Sequence, residues 1–533
     1  MLRSLRSTSV RLAGAFVAVA LAAAAVPLTE ATPAAANPLT DWTMNGHDLL
    51  NTRANLLETK ITTKTVSRLK PKWKFTTHGD VSATPTVAKG AVYFPDWGGY
   101  LYKVDAATGA QVWSHQISDY DGVAGSISRT AVVISGNTLY LGTQTGARLL
   151  AVDATTGALK WSTQLDPHIA AILTMSPIVY NGVVYEGVSS TEGEMSAFDP
   201  TYKCCTFRGN FNAVDATTGA VLWKRYMVPD NGGQPTGYAG GAMWGTPSID
   251  PVRGTVFVTS GQNYRVPDSV NACQTAGGTP PQCYSPDNHI DSILALDLKT
   301  GAVKWATGAM RFDAWNASCI PGLPPNNCPA NPGYDYDFGD GAHLFAYKDA
   351  TGKIKEAVGG GEKSGEYWAM DPETGAVLWS AAAGPGGHVG GIMWGTAWDT
   401  KRIYLAEADF FHTPYTLPNG TTITGSSYAA LNPSNGQILW QVADPNPGFA
   451  WGPLTVAADV LYGSDTSGHM YAMDSATGSI LWDFAAPYSS NAGAAVVDGV
   501  VYWGNGYQKF ALGAGTTGSF TTGTFYAFSV DGK

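Results

Sequence analysis

Four stretches of this 533-residue chain gather side chains able to bind and polarise a ligand. STEGEMSAFDPTYKCCTFRGN (190–210) offers Glu192, Glu194 and the adjacent Cys204 and Cys205. GGAMWGTPSIDPVRGTVFVTSGQNY (240–264) carries Trp244 and the amides of Gln262 and Asn263. MRFDAWNASC (310–319) carries Asp313, and GGGEKSGEYWAMD (359–371) sets Lys363 just after three glycines. Carboxylate and amide oxygens together are hard donors suited to Ca2+. An aromatic floor beside a cation suits a flat, anionic cofactor. Brought to one place, these groups would form a redox or Lewis-acid site.

What must bring them together is a repeat. LYKVDAATGAQVW ends at Trp113, LLAVDATTGALKW at Trp161 and FNAVDATTGAVLW at Trp223. ILALDLKTGAVKW, YWAMDPETGAVLW, YAALNPSNGQILW and MYAMDSATGSILW end at Trp305, Trp379, Trp440 and Trp482. Each copy reads as a hairpin: an alternating apolar strand, an Asp-x-x-Thr-Gly turn, then a strand closing on Trp. The turn's Asp and Thr can bond turn backbone, and its Gly tolerates positive φ. Two further strands precede most copies, so each repeat predicts one four-stranded propeller blade. At the ends, LKPKWKF (to Trp73) lacks its partner strand, and TFYAFSVDGK lacks its closing Trp. Pairing the two predicts an eighth blade and a closed ring without exposed edges. The fold expected is all-β, an eight-bladed propeller spanning residues 37–533. The repeated Asp, Gly and Trp belong to the scaffold, because one active site does not need seven copies. Function therefore sits in the four irregular stretches.

Composition agrees. Charged residues are only 14% of the chain, with 63 Gly, 17 Trp and 25 Tyr, which suits short buried strands and tight turns. A net charge of −10 without Lys/Arg runs argues against nucleic acid and anionic membranes. Arg3, Arg6 and Arg11 precede the apolar run Leu12 to Val26 and the small residues Ala34-Ala35-Ala36. That pattern predicts an export signal over residues 1–36, with no later membrane span. In an exported chain disulfides persist. Local bridges Cys273–Cys283 and Cys319–Cys328 are the economical pairing, leaving Cys204 and Cys205 side by side. There is no C-x-x-C-H for covalent haem.

The D-x-x-T-G-x-x-x-W repeat resembles that of the pyrroloquinoline quinone (PQQ) alcohol dehydrogenases, over essentially the whole exported chain. DWTMNGHDLLNTR, CCTFRGN and TSGQNYRVP look most like the polyvinyl alcohol dehydrogenase branch. The resemblance implies PQQ and Ca2+ as cofactors and a secreted or periplasmic enzyme. It implies an alcohol substrate, plausibly a polymeric secondary alcohol, and a separate electron acceptor such as a cytochrome c. By the same resemblance, FDAWN looks like the loop that supplies the catalytic base, Asp313, which also touches the metal. Glu192 would ligate the metal, with Glu194 as its rival. The amide ligand expected eighteen residues after Trp244 falls on Gln262, with Asn263 beside it. Trp244 would floor the quinone, and Cys204–Cys205 would form a disulfide ring over it. Lys363 would bond the quinone oxygens, Arg129 and Thr174 would grip its carboxylates, and Trp451 would add a donor. Two other readings share the repeat: a non-enzymatic assembly scaffold, and a quinoprotein acting on another donor such as an aldose.

Overall fold

A computed structural model describes residues 41–199, 201–309, 311–508, 516–519 and 521–533. The expected export signal lies outside the described residues. Among those described, no helix is long and apolar enough to cross a membrane.

Eight antiparallel sheets follow one another around a ring. Blade 1 is built from Thr86–Ala88, Ala91–Pro95, Tyr100–Asp105 and Gln111–Gln116. Blades 2 to 7 follow in chain order, their outer strands ending at Gln164, Tyr226, Gly308, Ala382, Ala443 and Ala485. Blade 8 is the split one. Leu69–Thr77 pairs antiparallel with Gly523–Val530, which continues into the strands Val500–Asn505 and Ala495–Val497. Chain closure therefore joins the two ends as expected.

The repeat explains how neighbouring blades lock. In the turn after Asp105, its Oδ1 accepts Ala107 N–H, Thr108 N–H and the Thr108 hydroxyl at 3.1, 2.8 and 2.7 Å. Gly109 then takes φ 73°, and a Cβ there would meet the Trp73 ring of blade 8 at 2.7 Å. Trp73 lies flat on that glycine while its Nε1–H donates to Ala106 O at 3.1 Å. Trp161, Trp223, Trp305, Trp379 and Trp440 repeat this bond into the next blade's turn. Trp482 closes the ring onto Leu69 O at 3.0 Å. Trp113 is the exception: its Nε1–H has no partner, and the equivalent Ala154 carbonyl accepts the Lys103 ammonium instead.

The segment before blade 8 does what the repeat cannot. Residues 42–55 run past the innermost strands and exchange backbone bonds with Val87, Ile134, Ile249, Leu344, Trp398 and Val456 of six blades. Asn55 adds a bond to Val496 O of blade 8. The Arg53 guanidinium, wholly buried, donates to Leu454 O, Asn45 O and Thr84 Oγ1 at 2.7, 3.1 and 3.1 Å. DWTMNGHDLLNTR is thus a strap across the centre of the ring.

Candidate active site

A cavity of about 160 Å³ opens among the irregular loops. Of the residues singled out in the sequence, Arg129, Thr174, Glu194, Trp244, Gln262, Lys363 and Trp451 line it. A second polar cavity of about 40 Å³ shares Arg129, Thr174 and Trp244 with it and reaches Asn45 of the strap.

Two cations anchor the site in different ways. The Lys363 ammonium lies 3.1 Å from Asp335 Oδ1 and 2.9 Å from Asp337 Oδ2, and 5.7 Å from the centre of the Trp244 ring. Burial alone would lower the Lys363 pKa, but the two carboxylates outweigh it and hold the ammonium charged. Arg129 is held instead by rings: Trp394, Trp97 and Tyr507 have centroids 4.8, 5.4 and 5.6 Å from it. Its Nη2 donates to Tyr507 Oη at 2.7 Å, and no described carboxylate pairs with it. An unneutralised guanidinium facing a cavity attracts an anion.

Asp335 and Asp337 both line the cavity, and both were missed in the sequence. Asp337 is fully committed: Oδ1 accepts Gln262 N–H at 2.8 Å and Oδ2 faces Lys363. Asp335 meets Lys363 through Oδ1. Burial pushes the Asp335 pKa well up, with Lys363 pulling the other way. Glu194 projects from the first turn of the helix Glu192–Phe198 into the cavity, accessible to it yet enclosed by protein. That enclosure raises its pKa too.

Asp313, Glu192 and Asn263 are not brought to the cavity, and each departure has a cause. Asp313 is buried, and its carboxylate accepts the N–H groups of Tyr334, Asp335 and Tyr336 at 3.0, 3.0 and 2.8 Å. It caps the loop that carries the two cavity aspartates. Burial lifts its pKa to about 6, opposed by those N–H donors. Glu192 turns away to accept Tyr202 Oη, Thr206 N–H and Phe207 N–H at 2.6, 2.7 and 2.9 Å. It ties its helix to the segment after the cysteines. Asn263 exchanges amide bonds with Asn288 at 3.1 and 2.9 Å, whereas Gln262 faces the cavity. The sequence left both pairs open, and the geometry separates them.

Cys204 and Cys205 are joined by a disulfide across a cis peptide bond. They do not line the cavity; they are buried in the layer behind it, packed with Ala242 and Tyr264, which do. The bridges Cys273–Cys283 and Cys319–Cys328 form as expected. Much of the remaining wall is aromatic: Tyr264, Trp315, His388, Trp394 and Tyr507 join Trp244 and Trp451. Trp315 and Tyr264 stand in the segments FDAWN and TSGQNYRVP; His388, Trp394 and Tyr507 carried no motif.

The donor set can be compared with what the two implied cofactors need. A planar tricarboxylate quinone requires flat walls and cations, and Trp244 and Trp394 (centroids 4.8 Å apart) with Arg129 and Lys363 provide them. The cavity oxygens of Glu194, Gln262, Asp335 and Asp337 are of the hard type a divalent cation takes. As they stand, no three acidic, His or Cys side chains among the described residues converge on one point, because Lys363 occupies the space between the aspartates. The pocket offers a quinone rings and cations of the right chemistry; it offers a metal suitable oxygens without their convergence.

The chain is similar to known proteins along most of its length. Residues 42–320 match the family model "Glucose/ethanol/alcohol dehydrogenase, beta-propeller domain", and residues 424–524 match "Outer membrane protein assembly factor BamB". The chain is 28% identical to polyvinylalcohol dehydrogenase of a Pseudomonas species, over 89% of this chain and 74% of that one. It is 30% identical to polyvinylalcohol dehydrogenase of Sphingopyxis sp. (strain 113P3), over 88% of this chain and 73% of that one. The crystal structure of quinohemoprotein alcohol dehydrogenase from Comamonas testosteroni superposes with a TM-score of 0.70 at 22% identity, covering 93% of this chain and 81% of that one.

Proposed function

From the premise that this chain belongs to the PQQ family of glucose, ethanol and alcohol dehydrogenase β-propellers, and is an oxidoreductase, we propose that it oxidises secondary alcohols, polyvinyl alcohol among them. The observation that carries the reading is one cavity holding a paired lysine and an unpaired arginine between tryptophan faces. That is a binding site for a flat anion with electron-accepting oxygens.

PQQ, with Ca2+ beside it, supplies the two-electron acceptor and its polarisation when bound. Arg129 and the Thr174 hydroxyl would hold its carboxylates, and Trp244 its face. Glu194, Gln262 and the Asp335 carboxylate are the oxygens offered to the cation. Lys363 presents its ammonium where negative charge builds, an effect strong in a site walled off from water.

The base we assign is Asp335 rather than Asp313. Asp313 has given its oxygens to three N–H donors, and Asp337 has both oxygens engaged. Asp335 keeps Oδ2 for the substrate hydroxyl. A carboxylate there is a positioned proton acceptor of modest strength. It still falls far short of an alcohol, so the proton must leave together with the carbinol hydrogen. Residues 1–36 direct export in this proposal, and electrons pass to a separate acceptor such as a cytochrome c.

The test is purified protein reconstituted with PQQ and Ca2+, assayed on 2-butanol and polyvinyl alcohol with a dye acceptor. Asp335→Asn should lower kcat on the order of 1,000-fold, the scale of a lost general base, while still quenching intrinsic fluorescence on PQQ addition. Full activity in that variant refutes the assignment. No turnover of any alcohol by the wild type refutes the function.

A further inference from the structure

The cavity wall does not stop at the cavity. Trp315 and His388 both line it, with rings 5.5 Å apart and 25° from parallel. His388 in turn meets Phe411 at 5.0 Å and Phe410 at 5.2 Å. Phe410 leads through Phe449, at 5.7 Å, back to the cavity residue Trp451, 5.3 Å further on. The rings form an arc that leaves the cavity at Trp315 and returns at Trp451. Its outermost member, Phe411, is 56% exposed.

The arc is built rather than loose. His388 rides on Gly386-Gly387 and Gly390-Gly391, and Gly387 N–H donates to Lys363 O at 2.9 Å. Gly391 exchanges two backbone bonds with Ala408, at 2.8 and 3.1 Å. A Cβ at Gly391 would collide with the Lys363 backbone, and one at Gly387 would press on Phe410 and Phe411 at 3.1 Å. Phe411 itself sits in a turn pinned by Thr413 N–H to Asp409 Oδ1 at 3.0 Å. The backbone that fixes Lys363 therefore also fixes an aromatic ledge outside the site.

A small alcohol seated beside Asp335 has nothing left to place on that ledge. An extended substrate does. The rings of the arc offer apolar faces, and burial and Lys363 bring the His388 pKa down to about 4, so the imidazole is uncharged near neutrality. Such a surface suits a neutral chain that presents hydrocarbon to the rings and hydroxyls to water; it does not suit a polyelectrolyte or a basic protein. We propose that the arc from Trp315 through His388 to Phe411 is the landing track for a polymeric alcohol. A segment of its hydrocarbon backbone lies across Phe411 and His388 while one carbinol enters the cavity. The inference rests on the reading of the cavity as an alcohol-oxidising site and adds the surface on which a polymeric substrate docks. Phe411 acts on specificity and touches no reacting atom.

The experiment compares wild-type holoenzyme with Phe411→Ala and Phe411→Tyr. Each is assayed on polyvinyl alcohol and 2-butanol, and each is tested for retention on cross-linked polyvinyl alcohol beads. In Phe411→Ala the half-saturating polymer concentration should rise about tenfold, equivalent to about 1.4 kcal/mol, and bead retention should fall. Its constants for 2-butanol should not move, and Phe411→Tyr should behave as wild type. Unchanged polymer constants, or equal losses on both substrates, overturn the track. A changed half-saturation for the electron acceptor with substrate constants intact also overturns it and gives the ledge to that partner. A wild type that oxidises 2-butanol but fails these comparisons leaves the cavity reading standing; one that oxidises neither alcohol removes both.

Discussion

Glu407 ends the second strand of blade 6 with no exposed surface, directly beneath the loop that carries His388. Its Oε1 accepts Gly386 N–H at 2.9 Å, and its Oε2 has no partner. Burial, with a smaller contribution from Asp409, lifts its pKa to about 8. Below pH 4.5 the folded and unfolded chains both carry this proton, and the site is neutral to stability. Between pH 4.5 and 8 the unfolded chain releases the proton and the folded chain keeps it. Stability then falls by about 1.4 kcal/mol per pH unit and levels off above the folded pKa. The full shift would amount to about 4–5 kcal/mol, an upper bound on an order-of-magnitude scale. Glu407→Gln has no proton to lose. Its amide oxygen keeps the Gly386 bond, and one unpaired buried polar atom replaces another. The variant should exceed wild type by less than about 1 kcal/mol at pH 5 and by about 2–4 kcal/mol at pH 9. Urea midpoints at pH 5, 6.5, 8 and 9 read the difference directly. Other buried carboxylates tilt both profiles equally and cancel. Two parallel profiles would mean that Glu407 titrates normally and that the account of its burial is wrong.

Two further outcomes follow from the geometry. Asp313→Asn keeps an acceptor for at most two of its three N–H partners, so it should lower the thermal midpoint yet cost less than about tenfold in kcat on 2-butanol; a loss as deep as that of Asp335→Asn would return the base to Asp313. Arg53→Met strips three hydrogen bonds from the strap and leaves the buried Asp340 without its counter-charge, a change of about 3–5 kcal/mol that a urea midpoint resolves, and an unchanged midpoint would show that the strap does not hold the ring.

The scaffold could be read from the chain because each blade solves the same local problem. A turn that needs Asp, Thr and Gly, and a Trp that lies on the next blade's Gly, must recur wherever the contact recurs. The split eighth blade could be read for the same reason, as a repeat lacking what the other end supplies. The strap 42–55 could not, since its backbone bonds go to strands scattered over the whole length and leave no local signature. Nor could the cavity's aromatic wall: Trp315, the pair His388 and Trp394, and Tyr507 come from three separate loops and share no spacing.

The site residues divide along a simpler line, which is parity. Glu192 and Glu194 stand two apart on one helix and so point to nearly opposite sides. The motif could name the pair but not say which side looks inward. Gln262 and Asn263 are neighbours in extended chain, where alternate side chains face opposite ways, so only one of them could ever reach the cavity. Tyr334-Asp335-Tyr336-Asp337 lies outside that rule, because the segment is not a strand and Asp335 takes φ 61°. Asp335 and Asp337 meet Lys363, while the Tyr336 ring turns to Arg311 at 5.4 Å and stacks on Tyr334. An isolated Asp in FDAWN says nothing about whether it caps a loop or faces a ligand. Two carboxylates at alternate positions in a chain this poor in charge are different. Buried side by side they repel unless a cation stands between them, and Lys363 reaches both.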